Sequence, residues 1–156
     1  MKKIVLFLLM SLSILCADEE PSAKVVYDLT TKDLASFERK ILKAVVVNKA
    51  HYEASLKELD VTVVIHGGAY RFFTINPKKS IFKEDKALIA NYKTLAKRIK
   101  SMVDNYDVEF LMCGAGMSKK QLEAKDIYRF VKIIPNSNIG LIDRQNEGYA
   151  YIPVGD

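Results

Sequence analysis

The chain has little from which to build cross-links or metal sites. It carries two cysteines and two histidines in 156 residues. Cys16 and Cys113 fall on either side of an expected cleavage point, so Cys113 is left with no intramolecular disulfide partner. Two histidines and one cysteine show no ligand spacing, and no metal centre is expected. Nucleic acid is served no better. The formal charge is +5, but the lysines are scattered among acids and no basic patch is interleaved with aromatics. The densest cluster, Asn76-Pro77-Lys78-Lys79-Ser80 with Lys83 and Lys86, reads as a solvated loop. No internal repeat, low-complexity tract or domain boundary interrupts the sequence.

Long apolar runs are also missing. Ile4 to Leu15 is too short to span a bilayer comfortably, which takes about 20 residues. With Lys2 and Lys3 before it, and Cys16-Ala17 then Asp18-Glu19-Glu20 after it, residues 1–17 read as a secretory signal cleaved after Ala17. Export, most simply to a bacterial periplasm, follows. The alternative is lipidation at Cys16, which alone would tie the protein to a membrane. Leu15 stands where such a signal prefers a small residue. Loss of Lys2 and Lys3 lowers the charge to +3. Residues 18–156 suit one domain, and half the chain is apolar, enough for a sizeable core.

The patterning alternates strand and helix. Lys24 to Leu29 is an apolar strand. Asp28, Thr30, Thr31 and Asp33 mark a turn and a helix start, and Leu34 to about Leu56 carries helical spacing. Val45-Val46-Val47 lowers helix propensity there, which burial overrides. Val61 to Ile65 is a short strand suited to the middle of a sheet. Residues 69–84 are irregular yet rich in Phe72, Phe73, Ile75, Ile81 and Phe82, and should cover a core edge or a subunit contact. Asp85 to Tyr106 has a continuous apolar stripe. Val108 to Cys113 is a third strand, and Ser118-Lys119-Lys120-Gln121 matches a capping box that opens a short helix. Val131 to Ile134 is a fourth strand stopped by Pro135. Asn138 to Glu147 is a last helix ended by Gly148, and Tyr149 to Val154 a last strand. The order β-α-β-α-β-α-β-α-β implies an α/β three-layer sandwich around a mostly parallel five-stranded sheet.

In such a sheet the carboxyl ends of the strands share one rim, where ligands bind. That rim collects Asp28, Thr30 and Thr31, then His66, Gly67 and Gly68, then Cys113, Gly114 and Gly116, then Asn136, Ser137 and Asn138. Cys113 and His66 are the candidate catalytic residues. A sulfur nucleophile must be a thiolate. Exposed amides at Gly114 and Gly116, the nearby Lys119 and Lys120, and the helix opening near Ser118 could favour that form. Cys113 precedes that helix by five residues, so its dipole should contribute little. His66 can serve as a proton partner if the second and third strands are neighbours. The bland alternatives are a cysteine packed inertly in the core, a rim histidine bonded to backbone, and a surface or packing role for His51.

Three segments resemble the DsrE/DsrF-like family of small sulfur-relay proteins, whose fold is also called YchN-like. Val63-Val64-Ile65-His66-Gly67 is similar to the family's second strand and its His-Gly pair. Val108-Glu109-Phe110-Leu111-Met112-Cys113-Gly114 with Met117 resembles the cysteine strand and loop. Leu141 to Ile152, with Gln145-x-x-Gly148-Tyr149-Ala150-Tyr151, resembles the closing helix and strand. The resemblance runs from Lys24 to Val154. It implies an α/β sandwich assembled into trimers or hexamers, in which a cysteine at the place of Cys113 accepts sulfane sulfur as a persulfide and passes it on. Relay members act largely in the cytoplasm, and an export signal departs from that pattern.

Two functions compete. One is an exported sulfur carrier with donor and acceptor proteins as partners, using Cys113 alone. The other is a non-catalytic oligomeric module that binds a small ligand or a partner while Cys113 only packs. A buried sulfur with no lysine or histidine beside it would favour the second. No cofactor is expected: a flavin phosphate is disfavoured by Asp28 and Asp33 at the ends of the first turn. A cysteine hydrolase would need a nucleophile, a base and an orienting group. Cys113 and His66 are available for the first two roles, with Asp28 a remote candidate for the third.

Overall fold

Strand and helix do alternate, and the handedness of the crossovers fixes where each helix lies. The computed structural model describes residues 22–156. The expected signal segment and Cys16 lie outside the described residues. Strands β1 (Ala23–Leu29), β2 (Leu59–Ile65), β3 (Val108–Cys113), β4 (Lys132–Ile134) and β5 (Ala150–Val154) form one sheet in the order β4-β3-β2-β1-β5. Every neighbouring pair is parallel. From β1 to β4 the chain steps in one direction, and it then returns past β1 to add β5. Because parallel crossovers are right-handed, that reversal moves the connecting helix to the opposite face of the sheet.

Helix α1 runs in three consecutive segments, Leu34–Phe37, a π-helical Glu38–Lys43 and Ala44–Ala54. Asp33 starts it by accepting a bond from the Ser36 amide at 2.6 Å. Helix α2 (Lys86–Tyr106) starts in the same way, with Asp85 accepting from Leu88 at 3.1 Å, and ends at Asp107 in the left-handed region, φ 46°. Helix α3 is Ser137–Asn146, capped by Asn136 through the Ile139 amide at 3.1 Å. Each cap satisfies a donor that the first helical turn leaves without a partner. Gly148, at φ +88°, provides the expected left-handed stop before β5.

The main core lies between the sheet and the layer of α1 and α2. Val61, Val63, Ile65, Phe110 and Met112 meet Phe37, Ile41, Val45, Leu95, Ile99 and Met102. The 69–84 segment covers the edge of this core, as its composition suggests. A 3-10 turn, Ala69–Phe73, buries Tyr70, Phe72 and Phe73. Phe72 stacks on Phe37 with centroids 4.5 Å apart, and Phe73 lies 5.2 Å from Phe110. The α3 layer is thinner: Val26, Val64, Leu111 and Tyr149 pack with Ile134 and Leu141. Gly140 lets α3 sit close to the sheet, since a Cβ there would lie 2.5 Å from Ile134 Cδ1.

One expected element is displaced. Ser118 does not open the helix after β3. The chain winds at once into a helical turn, Gly114–Met117, with Cys113 at its N-cap, and Ser118–Lys120 continues as 3-10 helix. The Ala115 amide bonds Pro135 of the next connection at 3.0 Å, which draws the turn back onto the strand end. The reciprocal capping box of this region is formed instead by Glu123 and Asp126.

Candidate functional site

Alternation along a strand sends successive side chains to opposite faces. Ile65 and Met112 are paired across β2 and β3 and enter the α1/α2 core, whereas Val64 and Leu111 lie under α3. His66 and Cys113 come next on their strands and fall by alternation on the α3 face, where Cys113, at the strand end, also packs against the main core. β2 and β3 are therefore neighbours, the condition on which a role for His66 depended.

Cys113 is buried, 7% exposed. The groups around it that favour the charged form are Tyr70, the Gly116 amide, and the amide and side chain of Ser137. Burial pushes the thiol up, but these groups outweigh it and hold the thiol below its ordinary pKa. Ser137 is the first residue of ten-residue α3, so the thiol sits at the positive end of that helix. The relevant dipole thus belongs to the helix after β4, not to one opening at Ser118. Lys119 and Lys120 are not among the groups that act on the thiol.

Tyr70 ties the arrangement together. Its hydroxyl donates to the Cys113 carbonyl at 2.5 Å. Burial, reinforced by Cys113, pushes the Tyr70 pKa far up, so the side chain stays a protonated donor. The two glycines of the turn make room for this contact. A Cβ on Gly116 would lie 2.3 Å from the Tyr70 hydroxyl, and one on Gly114 would lie 3.0 Å from the Ile134 carbonyl oxygen.

His66 forms a second cluster on the same rim. Its Nε2 is 2.6 Å from Asp28 Oδ1. Asp28 Oδ2 accepts from the Tyr151 hydroxyl of β5 at 2.7 Å. The His66 amide bonds the Leu29 carbonyl at 3.0 Å, and Gly67, at φ +60°, turns the chain away. His66 makes no hydrogen bond to Cys113; it leans toward β1 and bonds Asp28 there. Asp28, the remote candidate in the sequence, is thus the residue that orients His66.

The other rim residues are committed elsewhere. Thr31 and Thr30 bond Asp156 and the Val154 carbonyl, and Asn136 caps α3. Tyr70 was not singled out by sequence, Tyr151 entered only as part of the closing motif, and Ser137 was placed on the rim without a role. Pro135-Asn136-Ser137 carried a usable signal, because a strand stop followed by an N-cap residue places a helix amino terminus at the rim. Among the described residues no group of three His, Cys, Asp or Glu is placed to hold a metal ion. Among the same residues no helix is long and apolar enough to cross a membrane.

A parallel five-stranded α/β sandwich with a cysteine capped by a helix amino terminus at the sheet's carboxyl rim defines the class. The sequence matches the DsrE/DsrF-like family over residues 25–154. The chain belongs to that family. It is 24% identical over 155 residues to an uncharacterised protein of Aquifex aeolicus (strain VF5), covering 98% of this chain and 64% of that one. The chain therefore spans a little under two thirds of that relative's length. The fold is similar to that of a protein of unknown function from Methanobacterium thermoautotrophicum, with a TM-score of 0.59 and 17% identity over 85% of this chain and 99% of the other.

Proposed function

We propose that the protein is an exported persulfide carrier in which Cys113 takes up sulfane sulfur from a donor and passes it to an acceptor thiol. The observation that carries this reading is a thiol at a strand end, at the N-cap of the Gly114–Met117 turn and beside the amino terminus of α3, held below its ordinary pKa by the polar groups around it. A merely packed cysteine has no need of them. Membership of a family associated with sulfur relay supports it, and the pattern of residues 1–17 supports export. In the uptake step the Cys113 thiolate attacks the terminal sulfur of a persulfide, R–S–SH. A Cys113–sulfur bond forms, the donor's S–S bond breaks, and R–S⁻ leaves with the electron pair. No oxidant is consumed, because the sulfane sulfur moves between two thiols.

Intact mass after a polysulfide challenge tests the proposal. The wild type should gain the mass of one sulfur, removable by a reducing thiol, and Cys113→Ser should gain none. No adduct on the wild type, or an equal adduct on the variant, would contradict it.

The burial of Cys113 and the absence of a lysine or histidine bonded to its sulfur favour the second reading, a non-catalytic binding module. In that case sulfur uptake is absent while partner or ligand binding survives Cys113→Ala.

Self-association is part of the same proposal. β5 is an edge strand with Tyr151 and Ile152 exposed, and α3 exposes Ile139 and Ile142. Such an edge invites a second copy. Sedimentation velocity should give a trimer or hexamer, and a monomer at micromolar concentration would overturn this part.

A further inference from the structure

The Asp28–His66 pair has no part in holding the thiol, yet it occupies the same rim and the same face of the sheet. A carboxylate only accepts hydrogen bonds, so the 2.6 Å contact requires His66 Nε2 to carry the proton. Tyr151 engages the other carboxylate oxygen at 2.7 Å, which fixes the carboxyl plane from a third strand. Three strands thus set one ring. Nδ1 is then the free nitrogen of His66, on a side chain 28% exposed at the rim.

We propose that Asp28 is a positioning residue that locks His66 in the Nε2–H tautomer, so that Nδ1 is the proton donor for the thiolate leaving Cys113's sulfur donor. This rests on the carrier reading and names the group that step still lacks. Attack by Cys113–S⁻ on R–S–SH gives Cys113–S–SH and R–S⁻. Doubly protonated His66 gives its Nδ1 proton to R–S⁻, leaving R–SH and neutral His66 with Nε2–H still bonded to Asp28. The proton is replaced from solvent before the next uptake. The substrate class follows: alkyl persulfides, whose leaving thiolates are the more basic, gain most from this proton. Reagents whose leaving group is a weak base do not, since general acid catalysis acts on the group that must be protonated.

The test compares two reactions of the same thiol in the full-length protein. One is sulfur uptake from glutathione persulfide. The other is alkylation by iodoacetamide, which releases iodide and requires no proton. His66→Ala and Asp28→Asn should slow uptake by about a hundredfold, the lower range for loss of a general acid, with alkylation unchanged. Where His66→Ala fails to fold, His66→Gln decides, since Gln keeps an N–H for Asp28 but has no proton to give. Nitrogen chemical shifts should place the neutral wild-type His66 in the Nε2–H tautomer and lose that preference in Asp28→Asn. Uptake at the wild-type rate in the variants, an equal loss of alkylation, or an Nδ1–H tautomer in the wild type overturns the role of the pair. Absence of any uptake by the wild type overturns the carrier reading itself, which separates the two failures.

Discussion

Tyr70→Phe is expected to weaken both the fold and the thiolate. The hydroxyl is buried and donates to the Cys113 carbonyl at 2.5 Å. Its removal leaves a buried acceptor with one partner fewer, at a cost of about 1–3 kcal/mol. Tyr70 is also among the groups that hold the thiol below its ordinary pKa. Alkylation of Cys113 at neutral pH should therefore slow. Chemical denaturation and alkylation kinetics read the two effects separately. An unchanged denaturation midpoint together with an unchanged alkylation rate would remove Tyr70 from the site.

Gly116→Ala should reach the same bond by a different route. Its Cβ would stand 2.3 Å from the Tyr70 hydroxyl and 3.0 Å from Cζ of the same ring. The ring is held in the core, so it must shift as a body and its hydroxyl leaves Cys113. Overpacking of this kind costs about 1–3 kcal/mol. A Phe at position 70 lacks the atom that would collide. On that background Gly116→Ala should cost measurably less than alone, a non-additivity expected of residues in contact. Strict additivity in the double-mutant cycle would mean that the two residues do not meet as described.

The fold was legible because each buried strand is a mostly apolar run, broken only by Thr62 in Val61–Ile65 and by Glu109 in Val108–Cys113, and because α2 carries an apolar stripe. Asp33 and Gly148 punctuate the chain by local chemistry that sequence displays. The π-helical stretch in α1 carried no signal, since it is set by packing and not by residue type. Ser118 misled for an instructive reason. Its spacing to Gln121 satisfies a local capping rule, but a long-range bond from Ala115 to Pro135 starts the turn four residues earlier.

The site was legible only by its strand ends. Cys113, His66 and Asp28 stand at the carboxyl ends of their strands, and alternation puts all three on one face. What holds them could not be read in the same way. Tyr70 reaches Cys113, at its carbonyl, from a 3-10 turn 43 residues away in sequence. Ser137 reaches it from the start of a helix on the far side of β4. Such donors are brought together by tertiary closure, and only the Pro135-Asn136 boundary before Ser137 announces one of them.

The account is tested most directly by the rate of iodoacetamide alkylation of Cys113 in the native protein as a function of pH. A lowered thiol pKa means that the reactive form is already populated below the ordinary cysteine range, about 8.5. The half-maximal rate should therefore fall at a lower pH than for free cysteine. Ser137→Ala, which removes one donor and keeps the helix amide, should move it upward. A midpoint at or above that of free cysteine, or a thiol that reacts only after unfolding, would contradict the claim that the Cys113 thiol is held below its ordinary pKa and open to a visiting sulfur donor.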